Sequence, residues 1–229
     1  MTAITTTSSL LRTKPLVAAA ALGLLALIGN AAHAQATTDS LTGWSVYGDV
    51  VTQSGAITLT TAYLDGDSDQ PSNLSGTSAV DIGTLESAAG VGLYGLDLSA
   101  EKTGIEGSLI GQSFAATAGQ TLSFDWSFST LDTLFQDRAF VVINGAVITL
   151  ATLSTPGAAT QTFSHTFAQS GNTTLSFGVI DTVDVLGVSS LSVSKLQLVS
   201  AVPEPATTAM MLAGLALVGV VARRRMRTR

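Results

Sequence analysis

The fold class this sequence predicts for residues 35–201 is all-β: an antiparallel β-sandwich or jelly roll. Three observations carry that reading. Residues 121–129 alternate without a fault, with Leu122, Phe124, Trp126 and Phe128 on one face and Ser123, Asp125 and Ser127 on the other. A period of two this clean marks a half-buried antiparallel strand. Asn144-Gly145 separates two apolar runs, 139–143 and 146–150. Both central positions of a two-residue hairpin turn take positive φ, which Asn and Gly tolerate best. Finally, no amphipathic stretch of ten residues between 35 and 201 has helical periodicity.

The other elements follow in chain order. Residues 41–51 carry Trp44, Val46 and Val50 on alternating positions, and 57–63 alternate again. Residues 64–76 form the most polar loop. Residues 139–143 are apolar throughout, as a central strand is. Residues 154–159 hold Pro156-Gly157 and read as a loop. Strands over 160–168, 173–180 and 189–199 complete the set, with turns at Gly119-Gln120 and Ser170-Gly171-Asn172. Many short strands at this spacing build a sandwich.

The two ends have a different character. Arg12 and Lys14 precede a 13-residue apolar run, 16–28, and Ala32-His33-Ala34 follows. A basic start, a short apolar core and an A-x-A site make a signal peptide over 1–34, cleaved after Ala34. At the other end, Pro203-Glu204-Pro205 leads into the uncharged run 206–222 and then into Arg223, Arg224, Arg225, Arg227 and Arg229. Seventeen residues is the lower limit for a membrane-spanning helix. Its six Leu and Val residues contribute about −2 to −4 kcal/mol towards insertion, so the anchor is marginal. The arginines act as a stop-transfer plug and hold the C-terminus in the cytoplasm. The chain thus divides into 1–34, 35–201 and 202–229. A signal helix and a single transmembrane helix flank an exported domain.

That domain holds 15 acidic residues against Lys102, Arg138 and Lys195, a formal charge of −12. Nucleic acid is a poor partner for such a surface. The chain has no cysteine. Disulfides, thiolate metal sites and cysteine nucleophiles are therefore excluded.

Pro203-Glu204-Pro205, the short span and the arginine cluster resemble the PEP-CTERM sorting domain of Gram-negative bacteria. The resemblance implies a transient inner-membrane anchor, cleavage near Pro203-Glu204-Pro205 by an exosortase, and association with exopolysaccharide and biofilm. A second resemblance rests on Thr42-Gly43-Trp44, Gly48-Asp49-Val50, 59–62, 106–108, 112–114, 119–126, Asp181-Thr182 and 187–191. Those segments resemble a recurrent domain of PEP-CTERM proteins that is similar to galactose-binding-like jelly rolls. Ser194-Lys195 stands where that domain has an Asp-Asn pair.

Candidate sites are few. Asp65, Asp67 and Asp69 alternate in the polar loop, an arrangement that suits calcium. Gln70 and Gly76, however, replace the turn glycine and the bidentate glutamate of an EF-hand loop. Asp181 and Asp184 are a second candidate calcium pair. Trp44, Tyr47, Tyr63, Tyr94 and Trp126 could each stack on a sugar ring; Trp126 is in phase with the core, and Tyr47, out of phase with Trp44 and Val46, is the better candidate platform. Asp125, Asp132 and Asp137 offer the carboxylates of a glycosidase only if two of them flank one cleft. His165 lies between Phe163 and Phe167 in the pattern of a packed side chain. No G-x-S-x-G elbow accompanies it. Arg138 is expected to pair with a nearby carboxylate. The reading is an exported, non-enzymatic envelope or extracellular-matrix protein without a required cofactor. The alternative is a glycan-binding module, stabilised by calcium.

Overall fold

The computed structural model describes residues 43–64, 72–200 and, with part of its side chains, 205–227. The signal region with Ala32 and Ala34, the acidic triplet Asp65, Asp67 and Asp69, and Pro203, Glu204 and Arg229 lie outside the described residues. Residues Gln35–Ala201 form one compact unit, and the residues from Val202 onward belong to another.

The first unit is an antiparallel sandwich of eleven described strands. They are β1 (Ser45–Tyr47), β2 (Asp49–Gln53), β3 (Ala56–Thr60), β4 (Val80–Asp81), β5 (Gly104–Ala116), β6 (Thr121–Thr130), β7 (Asp137–Ile143), β8 (Ala146–Leu153), β9 (Gly157–Thr166), β10 (Gly171–Thr182) and β11 (Ser189–Val199). One sheet runs β1-β5-β10-β7-β8, with β4 beside β5, and the other runs β2-β3-β11-β6-β9. Numbering β3 and β5 to β11 as one to eight, the sheets read 2-7-4-5 and 1-8-3-6. That is the double Greek-key order of a jelly roll.

The alternation of β6 does what its sequence predicts. Leu122, Phe124, Trp126 and Phe128 are buried between the sheets with Leu59, Ile110, Val141, Leu175, Phe177 and Leu191. Phe124 and Phe177 meet edge to face at 4.9 Å. Each such ring adds about 1.5–3 kcal/mol by leaving water. The Asn144-Gly145 turn forms as expected, with φ of 52° and 76°.

Three features depart from the sequence reading. The strand expected over 41–51 splits at Gly48, whose φ of 84° turns the chain from one sheet into the other. Val46 lies opposite Ile110 on the core-facing side, but at the edge of its sheet it is 50% exposed. The thirteen-residue β5 went unread because Gly104, Gly107 and Gly111 interrupt its pattern. They are there because the chain is crowded: an added Cβ on Gly107 would lie 2.0 Å from the Val179 carbonyl. Lastly, a short helix α1 (Ile82–Ala89) covers the outer face of the first sheet, packing Leu85 and Ala89 on Leu109, Phe140, Val142 and Ile180. Asp81 caps it by accepting the Thr84 N–H at 3.0 Å. Eight residues are too few for a helical period to show.

The second unit contains helix α2 (Pro205–Arg227). Pro205 opens it, at the position where a missing N–H costs least. The expected membrane-crossing segment 206–222 is therefore helical. Among the described residues, however, no helix is long and apolar enough to cross a membrane. Thr207, Thr208, Gly214 and Gly219 thin the apolar run, and the arginines complete the helix. Arg223 and Arg224 are exposed in its last turns. Arg225 and Arg227 continue the helix, but their side chains lie outside the described residues.

Candidate functional site

A cavity of about 580 Å³ opens where the β2–β3 hairpin meets β11. Both of its walls come from distorted backbone. Ser54 and Gly55 make the hairpin turn with φ of 49° and 79°, which throws the turn outward. On the other side β11 bulges between Ser194 and Gln197, with Lys195 at a φ of 51°. The bulge re-aims Lys195 and Leu196 into the cavity wall. Trp44 supplies an aromatic surface, its indole ring 6.0 Å from the ring of Phe177.

The polar groups of this cavity are mostly neutral. Thr52 and Ser54 offer hydroxyls and Gln53 an amide. The Lys195 ammonium is held 2.8 Å from Asp125 Oδ2, and Asp125 Oδ1 accepts the Thr162 hydroxyl at 2.6 Å. That hydrogen-bonded ion pair raises the Lys195 pKa. The Lys195 hydrogen bond, with that of Thr162, lowers the Asp125 pKa. An aromatic wall with a few neutral hydrogen-bonding groups can hold a small polar molecule that has one apolar face.

Tyr47, the residue singled out by phase, is not in this cavity. It packs partly buried against the Leu85–Phe140 cluster on the far side of the first sheet. Its side chain points opposite to Trp44 and Val46, as its phase predicts, and helix α1 covers that face of the sheet.

Asp181 is buried in β10 opposite Glu106. Asp184 lies in the following loop and accepts the Leu186 N–H at 3.1 Å. Among the described residues no group of three or more histidine, aspartate or glutamate side chains is placed to hold a metal ion.

Asp132 and Asp137 are 2% and 0% exposed, and Asp125 is occupied by Lys195. Asp137 Oδ2 accepts hydroxyl protons from Thr130 at 2.8 Å and Ser189 at 2.7 Å. Burial, reinforced by the charge of Asp132, nonetheless pushes the Asp137 pKa up to about 6. Arg138 points away from it. Its guanidinium donates to the Leu96 and Asp97 carbonyls at 3.0 and 3.4 Å and covers the Phe140 ring, so the expected carboxylate partner is replaced by main-chain oxygens.

Asp49 is a fully buried acid to which the sequence reading assigns no role. It accepts the Thr60 hydroxyl and the N–H groups of Leu74 and Ser75, which ties the polar loop to the sandwich. Local sequence carries no signal for this role, because the N–H groups come from residues 25 and 26 positions along the chain. His165 packs edge-on to Phe167 at 5.0 Å.

Residues 201–225 match the sequence profile of the PEP-CTERM protein-sorting motif. The chain carries a PEP-CTERM sorting signal. The motif implies export, transient anchoring at the C-terminus and processing by an exosortase. No curated protein matches the sequence. Among solved structures, the chain is similar to the N-terminal cellulose-binding domain of a Cellulomonas fimi β-1,4-glucanase C, at 18% identity. The similarity covers 70% of this chain and 90% of that one, with a TM-score of 0.31. It is also similar to a family 35 carbohydrate-binding module from an environmental isolate, at 19% identity over 73% and 98% of the two chains, with a TM-score of 0.30.

Proposed function

We propose that this chain is a non-catalytic protein of the bacterial exterior, delivered by its PEP-CTERM signal to the envelope or the polysaccharide matrix. The single observation that carries the reading is the sorting motif over 201–225. In this reading 1–34 is removed at the inner membrane and 206–222 threads it. An exosortase cuts near Pro203-Glu204-Pro205 and frees residues 35–201. Glu204→Ala should then block processing and leave a product about 3 kDa longer than the mature form. Mass spectrometry of the C-terminal peptide checks this. Equal masses for the two proteins exclude cleavage at the motif.

The Trp44 cavity favours a second reading, in which the exported domain binds a neutral glycan. A pyranose ring has an apolar C–H face for the indole and hydroxyls for Gln53, Thr52 and Ser54. The surrounding domain is acidic, which disfavours an anionic ligand. On a glycan array the protein should bind neutral oligosaccharides, and Trp44→Ala should weaken binding about thirty-fold. Gln53→Ala, at an exposed position, should weaken the same ligands without lowering stability. An array without hits, or hits indifferent to both changes, removes this reading.

A further inference from the structure

We propose that two copies of the exported domain pair through strand β9. The strands meet edge to edge and antiparallel, joining two five-stranded sheets into one sheet of ten. The proposal rests on how poorly β9 is guarded. It ends its sheet, and among the described residues no backbone hydrogen bond reaches its free side. It is ten residues long. Its register against β6 runs from Thr121↔Thr166 to Thr130↔Gly157 without a shift, so no bulge twists it away.

Sheet edges are normally blunted by shortness, bulges, prolines or charges. The other edges of this sandwich follow that habit. β1 has only three residues. β2 has five and begins at the carboxylate of Asp49. The pairing of β8 shifts register between Ala139 and Phe140. β9, with the sequence Gly-Ala-Ala-Thr-Gln-Thr-Phe-Ser-His-Thr, has neither proline nor charge.

The absence of charge extends well beyond the strand. From Ala139 to Ile180 the chain has 42 residues without one Asp, Glu, Lys or Arg, although the domain as a whole has 18 such residues. This stretch decides the partner. A domain of charge −12 repels its own copies wherever acidic surfaces meet. The β9 flank is where like copies approach with least of that penalty, since the acid beside it, Asp125 on β6, is paired with Lys195. A two-fold axis across β9 gives an isologous contact, in which the same strand serves on both sides. Thr160, Thr162, Ser164 and Thr166 are exposed along it and form small, β-favouring cross-strand pairs. Pairing also covers Phe163, half-buried at this edge and stacked on Phe124 at 4.8 Å.

The chain has no cysteine, so one introduced cysteine reports on one position. The full chain, exported with its own signals, is oxidised after a single change: Thr160→Cys, Thr162→Cys or Ser164→Cys on β9, or Thr52→Cys on β2 at the opposite edge. Disulfide-linked homodimer should form in at least one β9 variant, at ten-fold or more the level in Thr52→Cys. Cross-linking no greater on β9 than at Thr52, or only to a different protein, overturns the proposal. A Thr160→Lys, Thr162→Lys double variant places a standard edge guard on exposed positions. By native mass it should be monomeric where the parent is dimeric. A dimer that survives the two lysines, or a parent that is monomeric at all concentrations tested, also overturns it.

Discussion

Phe177→Ala is expected to cost the exported domain about 3–5 kcal/mol, the usual loss for a buried phenylalanine. Phe177 is fully buried on β10, between Val141 of β7 and Ile110 of β5. Its ring meets Phe124 of the opposite sheet at 4.9 Å and Trp44 at 6.0 Å. Its loss therefore opens a hole at the joint between the two sheets, and β10 is held in place there by pairing with β5 and β7 on both sides. Domains of this size have a net stability of about 5–15 kcal/mol. The variant should unfold at markedly lower urea with an unchanged denaturant slope. A midpoint shift worth less than about 1 kcal/mol would show that Phe177 does not join the sheets as described. Trp44 loses its support in the same variant, so the cavity should weaken together with the core.

The second large effect has the opposite sign. Asp137→Asn is expected to stabilise the protein at neutral pH by up to about 3 kcal/mol, the equivalent of a two-unit pKa shift. The direction follows from linkage. The Asp137 pKa is about 6 in the folded protein, against an ordinary 3.8. Between those values the folded state holds the extra proton. Stability therefore falls as pH rises from about 4 to 6, and is flat with respect to this group above that. An amide oxygen still accepts from the Thr130 and Ser189 hydroxyls, while the buried charge disappears. Denaturation of both proteins at pH 4, 5, 6 and 8 checks this. The two curves should converge in acid and separate as the pH rises. Parallel curves across that range would mean that Asp137 does not titrate there.

Much of the sandwich was legible because a half-buried strand writes its two faces into alternate residues. β6 is the plainest case, and the Asn144-Gly145 turn is legible for an equally local reason, the cost of positive φ. β5 was not legible. Its three glycines make room for neighbouring strands, and glycine shows no face. The helix α1 was hidden by its eight-residue length, and the split at Gly48 by a strand that changes sheets halfway. Tyr47 keeps the face that its phase predicts, but the eight-residue helix packs over that face, while Trp44 on the other face borders the cavity. Lys195 was readable only as a substitution in the last strand. Its role in the cavity depends on a bulge that no propensity announces.

By itself, the sequence determined the class of fold, the acidity of the exported domain, the absence of thiol chemistry and the sorting signal at its end. All of these follow from composition or from residues close together along the chain. Only the tertiary structure decided that Trp44 and Lys195 share a cavity, that Asp137 is buried beside Asp132, and that uncharged β9 lies at an edge. Strand order brings together residues more than a hundred positions apart, and the free energy that selects it comes from packing two sheets face to face. No local pattern carries that information.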